Sequence, residues 1–88
     1  MHNISFEEVW ARIVAHAGET FYMKRDHEEF TYIVKGNGFY PSRTSYRISK
    51  KDFKTAYGMM PIKGPGPISN IVRGPSYVWA VLNNPRIL

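Results

Sequence analysis

Phe6, Val9, Trp10, Ile13, Val14 and Ala17 recur at the spacing of one continuous helical face. Ser5 and Glu8 stand ahead of them in the S-x-x-E relation of a capping box, and Ile4 and Val9 occupy the places of a hydrophobic staple. Gly18 offers a stop, because glycine accepts the left-handed conformation that ends many helices. A first helix is therefore predicted between Ser5 and Gly18, with Glu7 and Glu8 complementing the positive end of its dipole.

The period then changes to two. Glu19–Arg25 reads as a strand with Phe21 and Met23 on one face, and Asp26–Glu28 as a polar turn. Along Glu29–Lys35, Phe30, Tyr32 and Val34 alternate with Thr31, Ile33 and Lys35, which assigns Tyr32 to the core. Gly36-Asn37-Gly38 contains Asn-Gly, a hairpin signal because both residues tolerate positive φ. A third strand should begin at Phe39. Pro41 lacks the N–H that a ladder needs, so it marks an edge or an early break. Ser42–Ile48 fits either a continuation of that strand or an exposed basic loop.

Ser49 is suited to cap a second helix, with Asp52 three residues on and Ile48 and Phe53 at staple positions. Phe53, Ala56, Tyr57 and Met60 form its apolar face, and Gly58 and Pro61 end it. The prolines of 61–67 make a stiff connection. Ile68–Arg73 fits a helical turn or two, ended by Gly74. Pro75 opens a last short helix carrying Tyr77, Val78, Val81 and Leu82, stopped by Asn83-Asn84-Pro85. The order predicts an α+β fold: a three-stranded antiparallel sheet with an N-terminal helix, a second helix and a C-terminal helical segment. Residues 1–88 are read as one small domain.

Composition narrows the chemistry. A chain of 88 residues buries only about 60% of its unfolded surface, and the 15% aromatic content can supply the core volume so short a chain needs. There is no cysteine, which excludes disulfides, thiolate metal sites and a cysteine nucleophile. Glu7, Glu8 and Arg12 interrupt the first apolar stripe, unlike a signal peptide, and no apolar run reaches the ~18 residues of a membrane span. The expectation is a soluble, cytoplasmic protein without a membrane partner.

Charge is divided along the chain. Residues 1–29 hold six of the seven acids and three of the twelve basic residues, whereas residues 30–88 hold nine basic residues and one acid. That asymmetry favours a polyanionic partner, DNA or RNA. The focus is Ser49-Lys50-Lys51-Asp52-Phe53-Lys54. Lysines in a first helical turn oppose the macrodipole, while free amides, the dipole and lysine side chains together suit an anion. Arg43 and Arg47 approach from upstream, on the same side if the segment is extended. Tyr40 and Tyr46 are the candidate rings for stacking bases. The expected nucleic-acid surface is thus Arg43, Arg47, Lys50, Lys51, Lys54, Tyr40 and Tyr46, with Lys35, Lys63 and Arg73 contributing. Five phosphate contacts imply a log–log salt slope near about −4.5 on duplex DNA.

The S-K-K-x-x-K run and the helix–strand–strand–strand–helix order from Ser5 to Tyr57 locally resemble part of the double-stranded RNA-binding domain. In that family a lysine-rich start to the second helix bridges phosphates across a groove. The resemblance implies that such geometry can hold a phosphate backbone. The chain departs from the family in lacking a Gly-rich approach before Ser49, a Gly-Pro-His loop between the first strands, and an Ala-rich continuation of the second helix.

A second reading is a protein-interaction module or homodimer using the apolar C-terminal helix, with Tyr77, Trp79, Val81 and Leu82 as its surface. A helix-turn-helix around Gly74 is disfavoured, because Pro75–Asn83 offers only Ser76, Tyr77 and Asn83 to base edges. His2, His16 and His27 are scattered, and Asp26-His27-Glu28-Glu29 has the look of a solvated turn. No catalytic residue, metal or cofactor is expected.

Overall fold

The computed structural model describes residues 4–88, so His2 lies outside the described residues. Helix α1 spans Phe6–Ala15, and strands β1 and β2 span Phe21–Tyr22 and Glu29–Phe30. Strands β3, β4 and β5 span Tyr32–Lys35, Gly38–Pro41 and Ile48–Ser49. Helix α2 runs Lys50–Tyr57, a 3-10 turn occupies Gly66–Ile68, and α3 runs Pro75–Leu82. The class is α+β. The antiparallel strands form two sheets, β1–β2 and β3–β4–β5.

Both helix starts follow their capping residues. Ser5 Oγ accepts from the Glu8 N–H at 3.2 Å, and Ser49 Oγ accepts from the Asp52 N–H at 3.1 Å. The first helix ends earlier than its apolar pattern suggests. Phe6, Val9, Trp10 and Ile13 are buried, but Val14 and Ala17 are exposed. Gly18, at φ 90°, turns the chain away and donates its N–H to Tyr32 O at 2.9 Å. The strand predicted over Glu29–Lys35 divides at Thr31. Its N–H goes to Ser42 Oγ at 3.0 Å and its carbonyl accepts from the Ser42 N–H at 2.8 Å, so the first half pairs with β1 and the second with β4.

The buried residues form one cluster, and an unbroken series of aromatic rings runs through it. From Tyr57 the series passes to Phe6 at 6.0 Å, Trp10 at 6.4 Å, Phe53 at 5.8 Å and Phe39 at 4.8 Å between centroids. It continues to Tyr32 at 4.4 Å, Phe21 at 5.3 Å, Phe30 at 6.1 Å and Tyr77 at 5.1 Å. All five phenylalanines belong to it. Each such contact adds about 0.5–1.5 kcal/mol beyond the burial of its area. Helix α3 closes the cluster against α2 and β1, with Val78, Val81 and Leu82 fully buried. Gly74 precedes it at φ 60°, and a Cβ there would stand 2.6 Å from Ile48 Cδ1, so both conformation and space require glycine.

Two ties fix the ends to this core. The buried Tyr32 hydroxyl donates to Ile13 O at 2.6 Å, filling a carbonyl in the last turn of α1. Burial raises the Tyr32 phenol far above its ordinary range, which keeps the proton that this bond uses. Near the C-terminus, Arg86 lies 3.9 Å above the Phe21 ring and donates to Glu19 Oε1 at 2.7 Å and Thr20 O at 2.6 Å.

Tyr32→Phe should lower stability by about 1–2 kcal/mol in urea unfolding, because Ile13 O is left without its donor. Hydrogen bonds from His16 and Arg86 hold the Glu19 carboxyl below the ordinary glutamate range. Its contribution is therefore complete above that range and is lost as pH falls through the lowered value. Glu19→Gln should remove this component from the pH dependence of Tm between neutral and acid conditions; an unchanged profile would contradict it.

Candidate functional site

The β3–β4 turn, β5 and the start of α2 are joined by one backbone contact: the Lys50 N–H donates to Asn37 O at 2.8 Å. The turn is centred on Gly36-Asn37 rather than on the Asn-Gly pair. Lys35 faces Gly38 across the hairpin, and only Gly36, at φ 58°, has positive φ. That is the dihedral pattern of a II′ turn, which needs glycine at its first central position. Between this turn, β5 and the two helices lies an open cleft of about 420 Å³. Arg47, Lys50, Lys51 and Lys54 line it with Asn37, Ser49, Phe6 and Glu7.

Four cations and one carboxylate share this cleft. The Lys50 ammonium is 3.6 Å from Glu7 Oε1 and 5.8 Å from the centroid of Trp10, so it is partly committed to α1. Among the described residues, no carboxylate lies within 4.0 Å of the cationic nitrogens of Arg47, Lys51 or Lys54. Their charge faces solvent. The amides at the helix start contribute less than the sequence suggests: Asn37 O takes the Lys50 N–H and Ser49 Oγ takes that of Asp52. The Asp52 carboxylate accepts the Arg73 N–H at 3.0 Å, which ties α2 to the segment before α3. The positive charge of the cleft is therefore carried mainly by side chains.

The remaining predicted contacts are elsewhere. Residues 42–47 turn instead of continuing a strand, so the extended spacing that would put Arg43 and Arg47 on one side is absent. Arg43 pairs with Glu28 at 3.4 Å. Tyr46 packs against Gly74, and the Arg73 guanidinium covers its ring at 4.8 Å. Neither Arg43 nor Tyr46 lines the cleft. Lys63 lines a different cleft, and Lys35 is exposed on β3. Tyr40 does not line the cleft either; it is half-buried on β4, beside Arg47. Of the suggested protein interface, Val81 and Leu82 are fully buried in the chain's own core. Tyr77 meets Phe30 edge-on, and Trp79 Nε1 donates to Ile62 O at 2.9 Å while Lys24 stands 5.9 Å over its ring. Their packing within the chain explains their apolar character.

The second cleft, of about 720 Å³, is larger, but its charges compensate. Lys24, Arg25 and Lys63 share its rim with Asp26 and Glu28, and its floor includes Met23 and Pro65. The smaller cleft carries the more one-sided charge, four cations to one carboxylate. His16 engages Glu19 at 3.0 Å, and His27 sits in the β1–β2 turn at φ 51°. Among the described residues, no three His, Asp or Glu side chains gather as a metal ion would need, and no helix is long and apolar enough to cross a membrane.

Glu7, Asn37 and Gly38 are the site residues that the sequence did not single out. Glu7 has a sufficient local role at the start of α1, and its partner is distant in sequence. Asn37 acts through its backbone carbonyl. Gly38 is a glycine inside a strand, a recognised sign of close approach by another group. The chain matches no family model, no curated protein and no solved structure. Five strands separate α1 and α2, not the three on which the resemblance to the double-stranded RNA-binding domain rests.

Lys51→Ala and Lys54→Ala should each leave stability within about 0.5 kcal/mol of the parent, since both residues are exposed and have no ion pair among the described residues. Lys50→Ala should cost about 0.5–1 kcal/mol through loss of the contacts to Glu7 and Trp10. Urea denaturation of the three variants checks this ordering.

Proposed function

We propose that this chain is a small nucleic-acid-binding protein that holds the phosphate backbone of DNA or RNA at the cleft of Arg47, Lys50, Lys51 and Lys54. One observation carries the reading: cations from the β5 approach and the first turns of α2 meet around a single opening, and three of them lack an internal counter-ion among the described residues. Desolvating a cation without a partner is unfavourable, whereas a phosphate would satisfy several at once and release condensed counter-ions. The proposed activity is binding without catalysis. A cytoplasmic setting suits it, in keeping with a chain that has no cysteine.

The number of contacts sets the salt response. Four phosphates imply a slope of log Kobs against log salt near about −3.6 on duplex DNA and about −2.8 on a single strand. Lys51→Glu with Lys54→Glu should weaken binding more than tenfold at low salt and reduce the slope by about 1.4 on a single strand. Glu7→Gln should strengthen binding by up to about fivefold, because it removes the carboxylate competing for Lys50. Fluorescence anisotropy across a salt series reads all three. Affinity flat in salt, or unaffected by the double charge reversal, would contradict the proposal.

A further inference from the structure

Four aromatic residues stand outside the core series: Tyr22, Tyr40, Tyr46 and Trp79. The rings of Tyr46 and Trp79 are covered by Arg73 and Lys24. Tyr22 is half exposed, but its cross-strand partner is Glu29, which repels phosphate. Tyr40 differs. It is half-buried, it has no ring or cation–π contact among the described residues, and its cross-strand neighbour is Ile33, which is 51% exposed.

Strand alternation gives Tyr40 its setting. Tyr32, Phe39 and Ile48 point into the core, so Ile33, Lys35, Gly38, Tyr40 and Ser49 belong to the opposite face. Gly38 has no unusual φ that would demand glycine. A Cβ there would stand 2.6 Å from Arg47 Nε and 3.0 Å from Tyr40 Cε1, so the Arg47 side chain would have to shift to admit one. The Arg47 side chain thus lies across the backbone of Gly38, beside the Tyr40 ring. Tyr40 does not itself line the cleft, but Arg47 does, so a track from the ring to the lysines of α2 runs through Arg47.

From this track we infer that the ligand is single-stranded nucleic acid, with a base on Tyr40 and the adjoining phosphates on Arg47, Lys51 and Lys54. The inference rests on the phosphate-binding reading of the same cleft. A duplex keeps its bases stacked inside and can offer only its backbone. A single strand can turn a base onto the exposed part of the ring while its phosphates meet the cations, a combination that is tolerant of sequence. Ile33 extends the apolar platform and Lys35 adds charge at its border.

The test compares labelled single-stranded RNA and DNA oligonucleotides with a duplex of equal phosphate number. Each is titrated with the parent, Tyr40→Ala, Tyr40→Phe and the Lys51→Glu, Lys54→Glu pair, with folding checked by circular dichroism. The parent should bind single strands at least tenfold tighter than duplex. Tyr40→Ala should weaken single-strand binding by about 5- to 100-fold, with the salt slope and duplex affinity unchanged, and Tyr40→Phe should bind like the parent. Equal affinity for duplex and single strand, or a folded Tyr40→Ala with parental single-strand affinity, overturns the inference. If the charge reversals abolish binding in that case, the phosphate site stands without the base contact. If the parent binds none of the polymers, both readings fall.

Discussion

The stacked pair of Tyr32 and Phe39, with ring centroids 4.4 Å apart, is the contact on which the rest of the molecule depends. It joins β3 to β4 on the buried side of the sheet. Through Phe53 and Trp10 it reaches both early helices, and through Phe21 and Phe30 it reaches the β1–β2 hairpin and α3. A chain this short has little aliphatic volume available, and large flat rings fill space with few rotatable bonds. The Tyr32 hydroxyl adds direction to that packing by gripping the end of α1.

The same constraint creates the exposed face. Strand side chains alternate strictly, so committing Tyr32, Phe39 and Ile48 to the core sends Ile33, Tyr40 and Arg47 outward. The hairpin register then places Asn37 against the start of α2, and β5 runs into that helix without an intervening loop. Arg47 stands between the ring of Tyr40 and the cleft that the cations of α2 line. Charges elsewhere behave differently. Arg43 and Arg86 pair with Glu28 and Glu19 of the first third of the chain, so folding neutralises part of the charge asymmetry.

The fold class and most element identities were legible in the sequence. The Ser5 and Ser49 caps, the core assignment of Tyr32, and the glycine and proline around α3 all follow from local chemistry. Long-range contacts were not legible. The division of the second strand at Thr31 depends on the hydroxyl of Ser42, and the early end of α1 depends on a bond from Gly18 to β3. The separation of Arg43 from Arg47 follows from turns in 42–47 that no periodic pattern encodes. Apolar character misdirected the reading of α3: Val81 and Leu82 look available in a helical projection and are covered by the fold. Of the candidate site, the lysine run was readable, whereas the place of Tyr40 beside Arg47 required the register of three strands.

The most direct measurement is a ¹H–¹⁵N NMR titration of the full chain with a short single-stranded oligonucleotide at low salt. Amide shifts should concentrate at Asn37, Gly38, Tyr40, Arg47, Lys50, Lys51 and Lys54, and leave Lys24, Arg25, Lys63 and Ser76 of the larger cleft unmoved. Shifts centred on that larger cleft, or a spectrum unchanged at millimolar oligonucleotide, would contradict the assignment of this surface.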